Sequence, residues 1–302
     1  MFRKYMHIER LGNEAVEGIL IGTCWIFPKI DGTNGTVWFE DGQIKAGSRN
    51  RELTLDNDNA GFCNWIIKQQ NIRDFLLDHP TLRLYGEWLV PHTLKTYRKD
   101  AWNKYYVFDV YDDQTGRYLE YPTYNRLLES YGIDYIIPLA KIINPSTEQL
   151  INLMNNNTYL IEDGKGAGEG IVIKNYSYVN RYGRQIWAKM VRNQFKDEHR
   201  RAEIKEIRGE ITDEERFCEY ITDDFVSKVY YKIKHYDGWS NEKIPILLSM
   251  CYYDLINEEL WDFMKKRRNN VVLDFKKLYT MVTARVKDIL FNKILVEERE
   301  SV

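Results

Sequence analysis

Apolar and polar positions alternate in short runs over about the first 190 residues, and turn-forming pairs separate these runs. A period of two is typical of strands that bury one face. The clearest case is a hairpin in which Thr36–Glu40 and Gln43–Ala46 flank Asp41-Gly42, a pair that favours a tight two-residue turn. Further strands are predicted at Leu82–Val90, Tyr105–Tyr111 and Gly170–Lys174.

Two helices are predicted among these strands. One spans Cys63–Leu77, and the other spans Thr123–Tyr131 with Leu127 and Leu128 on its apolar face. Short strands interspersed with helices indicate a mixed domain of the α+β class.

From about residue 211 the apolar spacing becomes that of amphipathic helices. Thr222 is the predicted N-cap of the first helix, Gly238 ends it, and Pro245 suits the first turn of a second helix that runs toward Lys266. The apolar stripes of the first and third helices are Phe225, Val229 and Ile233, and then Phe275, Leu278, Val282, Val286 and Ile289.

These patterns predict an α+β domain over residues 1–205 and a small all-α domain over residues 206–302, joined through the charged segment Glu198–Glu215. A chain of 302 residues with 44% hydrophobic content is long enough for one core and a small second one.

The net charge, the cysteine spacing and the lack of long apolar segments limit which functional classes are compatible with the sequence. A net charge of -2 gives no global basic field, so any nucleic acid must meet a local basic patch. The four cysteines have no metal-ligand spacing and are expected to be reduced thiols. Neither a signal core nor a run of roughly 18 apolar residues is present, which predicts a soluble protein in the cytoplasm.

Lys29-Ile-Asp-Gly-Thr-Asn34 follows the apolar run Cys24–Phe27 and precedes the hairpin. This order places Lys29 at a strand end, where it faces a cleft. A lysine amine attacks phosphorus only when deprotonated, and burial or nearby cations favour that form. Gly32 allows a close approach of the backbone to a ligand. Taken alone, the segment is more often an ordinary Asp-Gly turn beside a solvated lysine.

Five further segments follow in a fixed order and carry a family resemblance. They are Ser48-Arg49, Tyr85-Gly-Glu-Trp88, Val107-Phe-Asp-Val110, Glu169-Gly-Ile-Val-Ile-Lys174 and Trp187-Ala-Lys-Met-Val191. Together with the Lys29 segment, they resemble the motifs of the covalent nucleotidyltransferase superfamily of ligases and capping enzymes, over residues from about 25 to 192. The resemblance implies a nucleotidyltransferase domain of antiparallel sheets with flanking helices.

The resemblance also implies roles in binding ATP and Mg²⁺ or Mn²⁺. Lys29 would carry AMP covalently, and Glu169 would position the metal ion. The remaining implied contacts are Arg49 to ribose or phosphate, Glu87 to the ribose hydroxyls, Phe108 to adenine, and Lys174 and Lys189 to the α-phosphate. Catalysis would rest on Lys29, Glu169, Lys174 and Lys189.

Asp31, Gly32, Asn34 and Asp109 are expected to support the pocket. Asp31 and Asp109 could each brace it by hydrogen bonds or act as a further metal ligand. Ordinary structural roles remain open for other motif residues, since Phe108 could be core, Glu87 a turn carboxylate and Lys174 a solvated strand end.

Two positions depart from the family pattern. Pro28 precedes the nucleophile where ligases often have an acidic contact to adenine, and proline offers neither an acceptor side chain nor a backbone N–H. Trp187 occupies the place of the first of two motif lysines, so that only Lys189 remains unless Arg192 or Lys196 substitutes for it.

The subclass is predicted from Thr33-Asn34 and from the helical tail. A KxxGTN motif is typical of RNA ligases, and DNA ligases and capping enzymes carry a carboxy-terminal OB barrel instead of helices. The chain therefore resembles the second, bacteriophage T4-type family of RNA ligases, which seal nicks in duplex RNA with 3′-hydroxyl and 5′-phosphate ends. A DNA ligase and a catalytically silent nucleic-acid-binding relative remain alternatives.

A surface for the RNA backbone is predicted from basic residues outside the motifs, because phosphate contacts need positive charge and carry no sequence information. These residues are Arg98, Lys99, Lys104, Lys196, Arg200 and Arg201.

Overall fold

A computed structural model describes residues 1–90, 97–192, 212–267 and 270–296. The described residues form two compact units, one of residues 1–90 and 97–192 and the other of residues 212–267 and 270–296. The predicted domain boundary between residues 205 and 206 lies outside the described residues, as does most of the predicted link.

The first unit contains two β-sheets. Sheet A has the strand order β1-β11-β10-β2-β9 and is antiparallel except for the parallel pair β1 and β11. Its strands are β1 Glu9–Arg10, β2 Thr23–Lys29, β9 Ala140–Ile143, β10 Gly170–Lys174 and β11 Ala188–Val191. The strand predicted at Gly170–Lys174 is confirmed, and Lys29 is the last residue of its strand.

Sheet B has the strand order β5-β4-β3-β6-β7-β8 and is antiparallel throughout. Its strands are β3 Thr33–Glu40, β4 Gln43–Gly47, β5 Glu52–Leu53, β6 Leu82–Leu89, β7 Lys104–Asp112 and β8 Arg117–Tyr118. The predicted hairpin is confirmed. Asp41 and Gly42 both have positive φ, at 51° and 75°, as the two central residues of a type I′ hairpin turn require.

The helices of the first unit are α1 Phe62–Ile66, α2 Gln70–Asp78, α3 Tyr121–Ser130 and α4 Thr147–Asn155. The single helix predicted over Cys63–Leu77 is wrong, because the chain breaks between α1 and α2. Phe62 and Ile66 face the core in α1, and Ile72 and Leu76 face it in α2. Six residues separate Ile66 from Ile72, so one continuous helix would point the two apolar stripes in different directions.

Each sheet buries one face in its own core. The core on sheet B joins β3, β6 and β7 to α1, α2 and α3, and it includes Leu128 as predicted, with Leu127 partly buried beside it. The core on sheet A joins β2, β10 and β11 to α4. Helix α4 was not predicted from the apolar pattern. It begins with a capping box in which Ser146 and Gln149 bond each other's backbone N–H.

The second unit is helical, as predicted. Its helices are α5 Asp213–Cys218, α6 Asp223–Asp237, α7 Ile244–Lys266 and α8 Phe275–Ile289. Thr222 caps α6 by accepting from the Phe225 N–H, and Leu278, Val282, Val286 and Ile289 are buried as the stripe predicts. Phe275 is an exception, because half of it is exposed.

Helix α5 begins inside the segment Glu198–Glu215 that was predicted as a link, with a capping box formed by Thr212 and Glu215, so the last four residues of that segment belong to the second unit. Glu214 on α5 accepts from the Asp274 N–H at 2.8 Å and from Lys277 Nζ at 3.2 Å. These bonds tie α5 to the start of α8 and lower the pKa of the Glu214 carboxyl to about 2. Among the described helices, none has the length and apolarity needed to cross a membrane.

Candidate active site

The strand register of sheet A places the motif lysines on one face. Lys29 on β2 lies opposite Gly170 on β10, and Val172 lies opposite Lys189 on β11. Because side chains alternate along a strand, Lys29, Lys174 and Lys189 point to the same side of the sheet. The opposite side carries Ile171 and Met190, which are buried in the core with α4.

Lys29 and Glu169 meet at this face. Lys29 Nζ donates to Glu169 Oε2 at 2.5 Å, and the two side chains are 25% and 23% exposed. Glu169 immediately precedes β10, so the register that aligns Gly170 with Lys29 also brings the carboxylate to the lysine. The pair is therefore accessible to a ligand, and the ammonium must lose a proton and this bond before its nitrogen can attack.

Glu87 reaches the same segment from sheet B. It lies opposite Asn34 in the pairing of β3 with β6, and its Oε1 accepts from the Gly32 N–H at 2.8 Å. A Cβ on Gly32 would lie 2.6 Å from the Trp88 carbonyl oxygen. Glycine is thus required here for the close approach of two backbone segments, whereas the sequence suggested approach to a ligand.

Tyr97 is a site residue that the motifs did not identify. It is 3% exposed, and its hydroxyl oxygen accepts from the Asp31 N–H at 2.8 Å. Burial raises the pKa of Tyr97 well above its ordinary value, and the carboxylates of Asp31, Glu169 and Glu87 raise it further. The hydroxyl therefore bonds directly to the segment that follows Lys29, although Tyr97 belongs to none of the sequence motifs.

Phe108 lies at an irregularity in the pairing of β6 with β7. Tyr85 pairs with Asp109 and Gly86 pairs with Val107, so Phe108 has no partner between them. Such a bulge re-aims a side chain out of the ordinary alternation. The Phe108 ring is half-buried and lies 4.9 Å from the Tyr5 ring, so it is not an ordinary core residue.

Lys174 is buried beneath this bulge. Its Nζ donates to the Phe108 carbonyl at 2.5 Å and to Asp109 Oδ1 at 2.8 Å, and only 1% of the residue is exposed. Burial lowers the pKa of Lys174, while the charge of Asp109 and its hydrogen bond oppose that change. The predicted contact of Lys174 with the α-phosphate stays a prediction, and it would require the ammonium to leave both acceptors.

Asp109 is fully buried, and both of its oxygens are bonded. In addition to the Lys174 bond, Oδ2 accepts from Tyr5 Oη at 2.5 Å and from Trp187 Nε1 at 3.1 Å. Trp187, which takes the place of the first motif lysine, is therefore a donor to this carboxylate. Tyr5 had no sequence signal, because its contact spans 104 residues.

The structure also describes Pro28, the other departure from the family pattern, and Arg192, one of the two candidate substitutes for the missing motif lysine. Pro28 is buried and alternates with Lys29, so it points to the opposite side of β2. Arg192 donates from its guanidinium to the Ala167 carbonyl at 2.6 Å and from its backbone N–H to the Glu169 carbonyl at 3.0 Å. Lys196 lies outside the described residues.

The remaining predicted residues lie around the site or on the surface. Lys189 and Arg49 are half-buried, and Arg49 follows Ser48 in the turn after β4. Of the predicted RNA surface, Arg98, Lys99 and Lys104 are exposed. Lys196, Arg200 and Arg201 lie outside the described residues.

The sequence from residue 22 to residue 191 matches the family described as RNA ligase, and this region is more than half of the chain. The chain belongs to the RNA ligase family. The matched region contains every motif residue from Lys29 to Lys189, so the predicted superfamily is confirmed. The T4-type subclass stays a prediction.

The fold of this RNA ligase family member is similar to solved structures of the RNA ligase from Naegleria gruberi. A variant of that enzyme with AMP and Mn matches with a TM-score of 0.51 at 20% identity, over 66% of this chain and 58% of that chain. A variant with ATP and Mn gives a TM-score of 0.50 at 20% identity, over 65% and 58%. The chain therefore spans less than two thirds of that enzyme's length. No curated protein matches the chain.

Proposed function

We propose that this RNA ligase family member uses ATP to join a 3′-hydroxyl end of RNA to a 5′-phosphate end, with AMP carried on Lys29. The proposal rests on the pair of Lys29 Nζ and Glu169 Oε2, 2.5 Å apart and open to a ligand. A lysine that is fixed beside a carboxylate and accessible to a ligand suits covalent nucleotidyl transfer. The complexes of the Naegleria gruberi enzyme with ATP and Mn and with AMP and Mn support ATP as the co-substrate.

Three transfers account for the joining. The deprotonated Lys29 nitrogen attacks the α-phosphorus of ATP, the bond to the bridging oxygen breaks, and pyrophosphate leaves. An oxygen of the RNA 5′-phosphate then attacks the phosphorus of the lysine-bound AMP, and the P–N bond breaks as Lys29 regains a proton. Finally the RNA 3′-oxygen loses its proton and attacks the activated 5′-phosphate, which releases AMP.

The surrounding residues would bind and orient the nucleotide. We assign Glu87 to the ribose hydroxyls, and its bond to the Gly32 N–H, which keeps it beside the Lys29 segment, supports this role. Phe108 is turned out of the strand alternation and offers a face for adenine. Arg49 and Lys189 are the cations that we assign to the phosphates, since positioned positive charge stabilises a phosphoryl transition state.

A divalent metal ion would find an accessible carboxylate ligand beside Lys29. Glu169 is 23% exposed, and Asp31 lies two residues after Lys29 in the same segment. Carboxylate oxygens are the ligands that Mg²⁺ prefers, so Glu169, with Asp31 as a second candidate, would hold it. When bound, the ion would neutralise charge on the triphosphate. Asp109 does not suit this role, because it is fully buried and both of its oxygens are bonded.

We propose that Lys174 has a structural role beneath Phe108, whose ring we call the adenine platform. Its ammonium bonds the Phe108 carbonyl and Asp109 and so braces this platform. The nick-sealing subclass is proposed for the whole protein because the second unit is helical. A nicked RNA duplex is accordingly the proposed substrate.

An end-joining assay tests this function. Purified protein is incubated with ATP, Mg²⁺ and three labelled RNAs: a nicked duplex, a broken tRNA loop and free single strands. We expect joined product from the nicked duplex, and none from Lys29→Ala protein. Lys165→Ala serves as the control, since Lys165 is an exposed lysine outside the motifs.

The same assay separates the rivals. Efficient sealing of a nick with DNA on the 3′-hydroxyl side, and not with RNA there, would make the protein a DNA ligase. RNA binding without any joined product or AMP transfer would make it a silent binding relative. Preference for single strands would overturn the nick-sealing assignment alone.

A further inference from the structure

The position of the Glu169 carboxylate depends on a short irregular segment. Glu169 lies just before β10, beyond the last residue pair of that strand with β11. Its approach to Lys29 at 2.5 Å therefore needs some other constraint on residues 167–170.

Asn157, which follows helix α4, bonds to both neighbours of Glu169. Its Nδ2 donates to the Gly170 carbonyl at 2.8 Å, and its backbone carbonyl accepts from the Gly168 N–H at 2.7 Å. Its Oδ1 accepts from the Tyr159 N–H at 3.2 Å, which fixes the orientation of the amide. Asn157 is 1% exposed, so these bonds are shielded from water and costly to lose.

The flanking glycines leave this segment little room to move. A Cβ on Gly168 would lie 3.0 Å from Asn157 Nδ2, and one on Gly170 would lie 2.1 Å from the Met190 carbonyl oxygen. At both positions the backbone therefore lies so close to Asn157 or Met190 that only glycine fits without displacing that neighbour.

Arg192 completes the constraint from strand β11. Its guanidinium donates to the Ala167 carbonyl, and its backbone N–H donates to the Glu169 carbonyl. Each residue from 167 to 170 thus has a backbone group that bonds to Asn157 or Arg192. Asn157 and Arg192 thus form a clamp on residues 167–170. Of the two, Asn157 lies farther from the motifs in sequence.

We propose that Asn157 is a positioning residue that sets the Glu169 carboxylate opposite Lys29 by holding the peptide on each side of it. It acts through Glu169 and touches neither nucleotide nor RNA. The inference rests on the proposed function, because it gives Glu169 its place in metal and ATP binding.

The matched substitutions are Asn157→Asp and Asn156→Asp. In Asn157→Asp an oxygen replaces the donor and faces the Gly170 carbonyl, whereas the Tyr159 bond is kept. Among the residues that the structure describes, the exposed Asn156 side chain bonds only Asn152, at 2.9 and 2.8 Å, so Asn156→Asp controls for the added charge. Asn157→Ala, which removes the donor without adding a charge, serves if Asn157→Asp fails to fold.

The primary measurement is the rate of AMP transfer to the protein as Mg²⁺ is varied. Loss of a residue that orients a metal-binding carboxylate typically weakens metal binding by ~10-fold or more. We therefore expect the half-saturating Mg²⁺ concentration to rise about tenfold in Asn157→Asp, with recovery at high Mg²⁺ and no change in Asn156→Asp. A purely structural role would lower the midpoint of thermal unfolding and leave the Mg²⁺ dependence of the folded protein unchanged.

Hydrogen exchange of the peptide covering residues 167–171 provides a measurement that does not depend on activity. Faster exchange in Asn157→Asp than in Asn156→Asp supports the clamp, and equal exchange overturns it. A Mg²⁺ dependence equal to wild type in both Asn157 variants also overturns the inference. Failure of the proposed function is distinguishable, because it would appear in the wild-type protein as a lack of AMP transfer.

Discussion

Replacing Lys174 with methionine tests the buried pair beneath the adenine platform. Methionine keeps the length and most of the volume of the side chain and removes the ammonium, which bonds the Phe108 carbonyl and Asp109. The lysine side chain is 2% exposed and that of Asp109 is 0% exposed, so neither charge can be compensated by water without local opening. Asp109 keeps its bonds from Tyr5 and Trp187.

The expected loss in the free energy of unfolding follows from these contacts. Removing one partner of a buried ion pair typically destabilises a protein by about 3–5 kcal/mol, because the other charge is left buried. The two remaining donors to Asp109 place the expected loss near the lower end, at about 3 kcal/mol for the first unit. Adding Asp109→Asn removes the second charge, so the double variant should lose less than the sum of the single losses, by about 0.5–3 kcal/mol.

Urea unfolding followed by tryptophan fluorescence measures these changes, because six of the eight tryptophans, including the Asp109 donor Trp187, lie in the first unit. The exposed Lys165→Met is the control and should lie within about 0.5 kcal/mol of wild type. If Lys174→Met is as stable as the control but has lost AMP transfer, Lys174 contacts the phosphate and the assignment as a brace is refuted.

Three further substitutions test separate parts of the account. Gly32→Ala should abolish AMP transfer or unfold the Lys29 segment, since a Cβ would lie 2.6 Å from a β6 carbonyl oxygen; near-normal transfer would contradict this. Tyr97→Phe removes the acceptor of the Asp31 N–H, and we expect a loss of ~1–3 kcal/mol in stability with slower AMP transfer, measured by urea unfolding and radiolabel incorporation. Because the folded pKa of Glu214 is depressed from 4.5 to about 2, its stabilising contribution is present above pH 4.5 and is lost as the pH falls toward 2. Thermal unfolding of Glu214→Gln should therefore differ from wild type at neutral pH and converge with it in acid, and a constant difference would contradict the assignment.

The parts of the fold that short-range patterns determine were predictable. The Asp41-Gly42 hairpin and the Thr222 cap each depend on residues close together in sequence, and both are confirmed. The break between α1 and α2 corresponds to a change in the phase of the apolar positions between Ile66 and Ile72, because the two residues would lie on different faces of one continuous helix.

The contacts that build the site were harder to predict because they join distant residues. Lys29 and Glu169 were identified through their motifs, and their 2.5 Å contact spans 140 residues. Tyr5, Tyr97 and Asn157 belong to no motif, and their bonds to Asp109, Asp31 and Gly170 form only in the folded chain. A buried tyrosine or asparagine has many ordinary explanations in a sequence, so residue type alone could not single them out.

Covalent transfer of AMP to Lys29 is the central claim, and mass spectrometry of the intact protein after incubation with ATP and Mg²⁺ tests it most directly. We predict a mass increase of one AMP, located by peptide mapping to the peptide that contains Lys29, and its loss when pyrophosphate is added in excess. Lys29→Ala protein should show no increase, and Lys165→Ala protein should behave as wild type. AMP on another residue, or an equal increase in Lys29→Ala protein, would contradict the account.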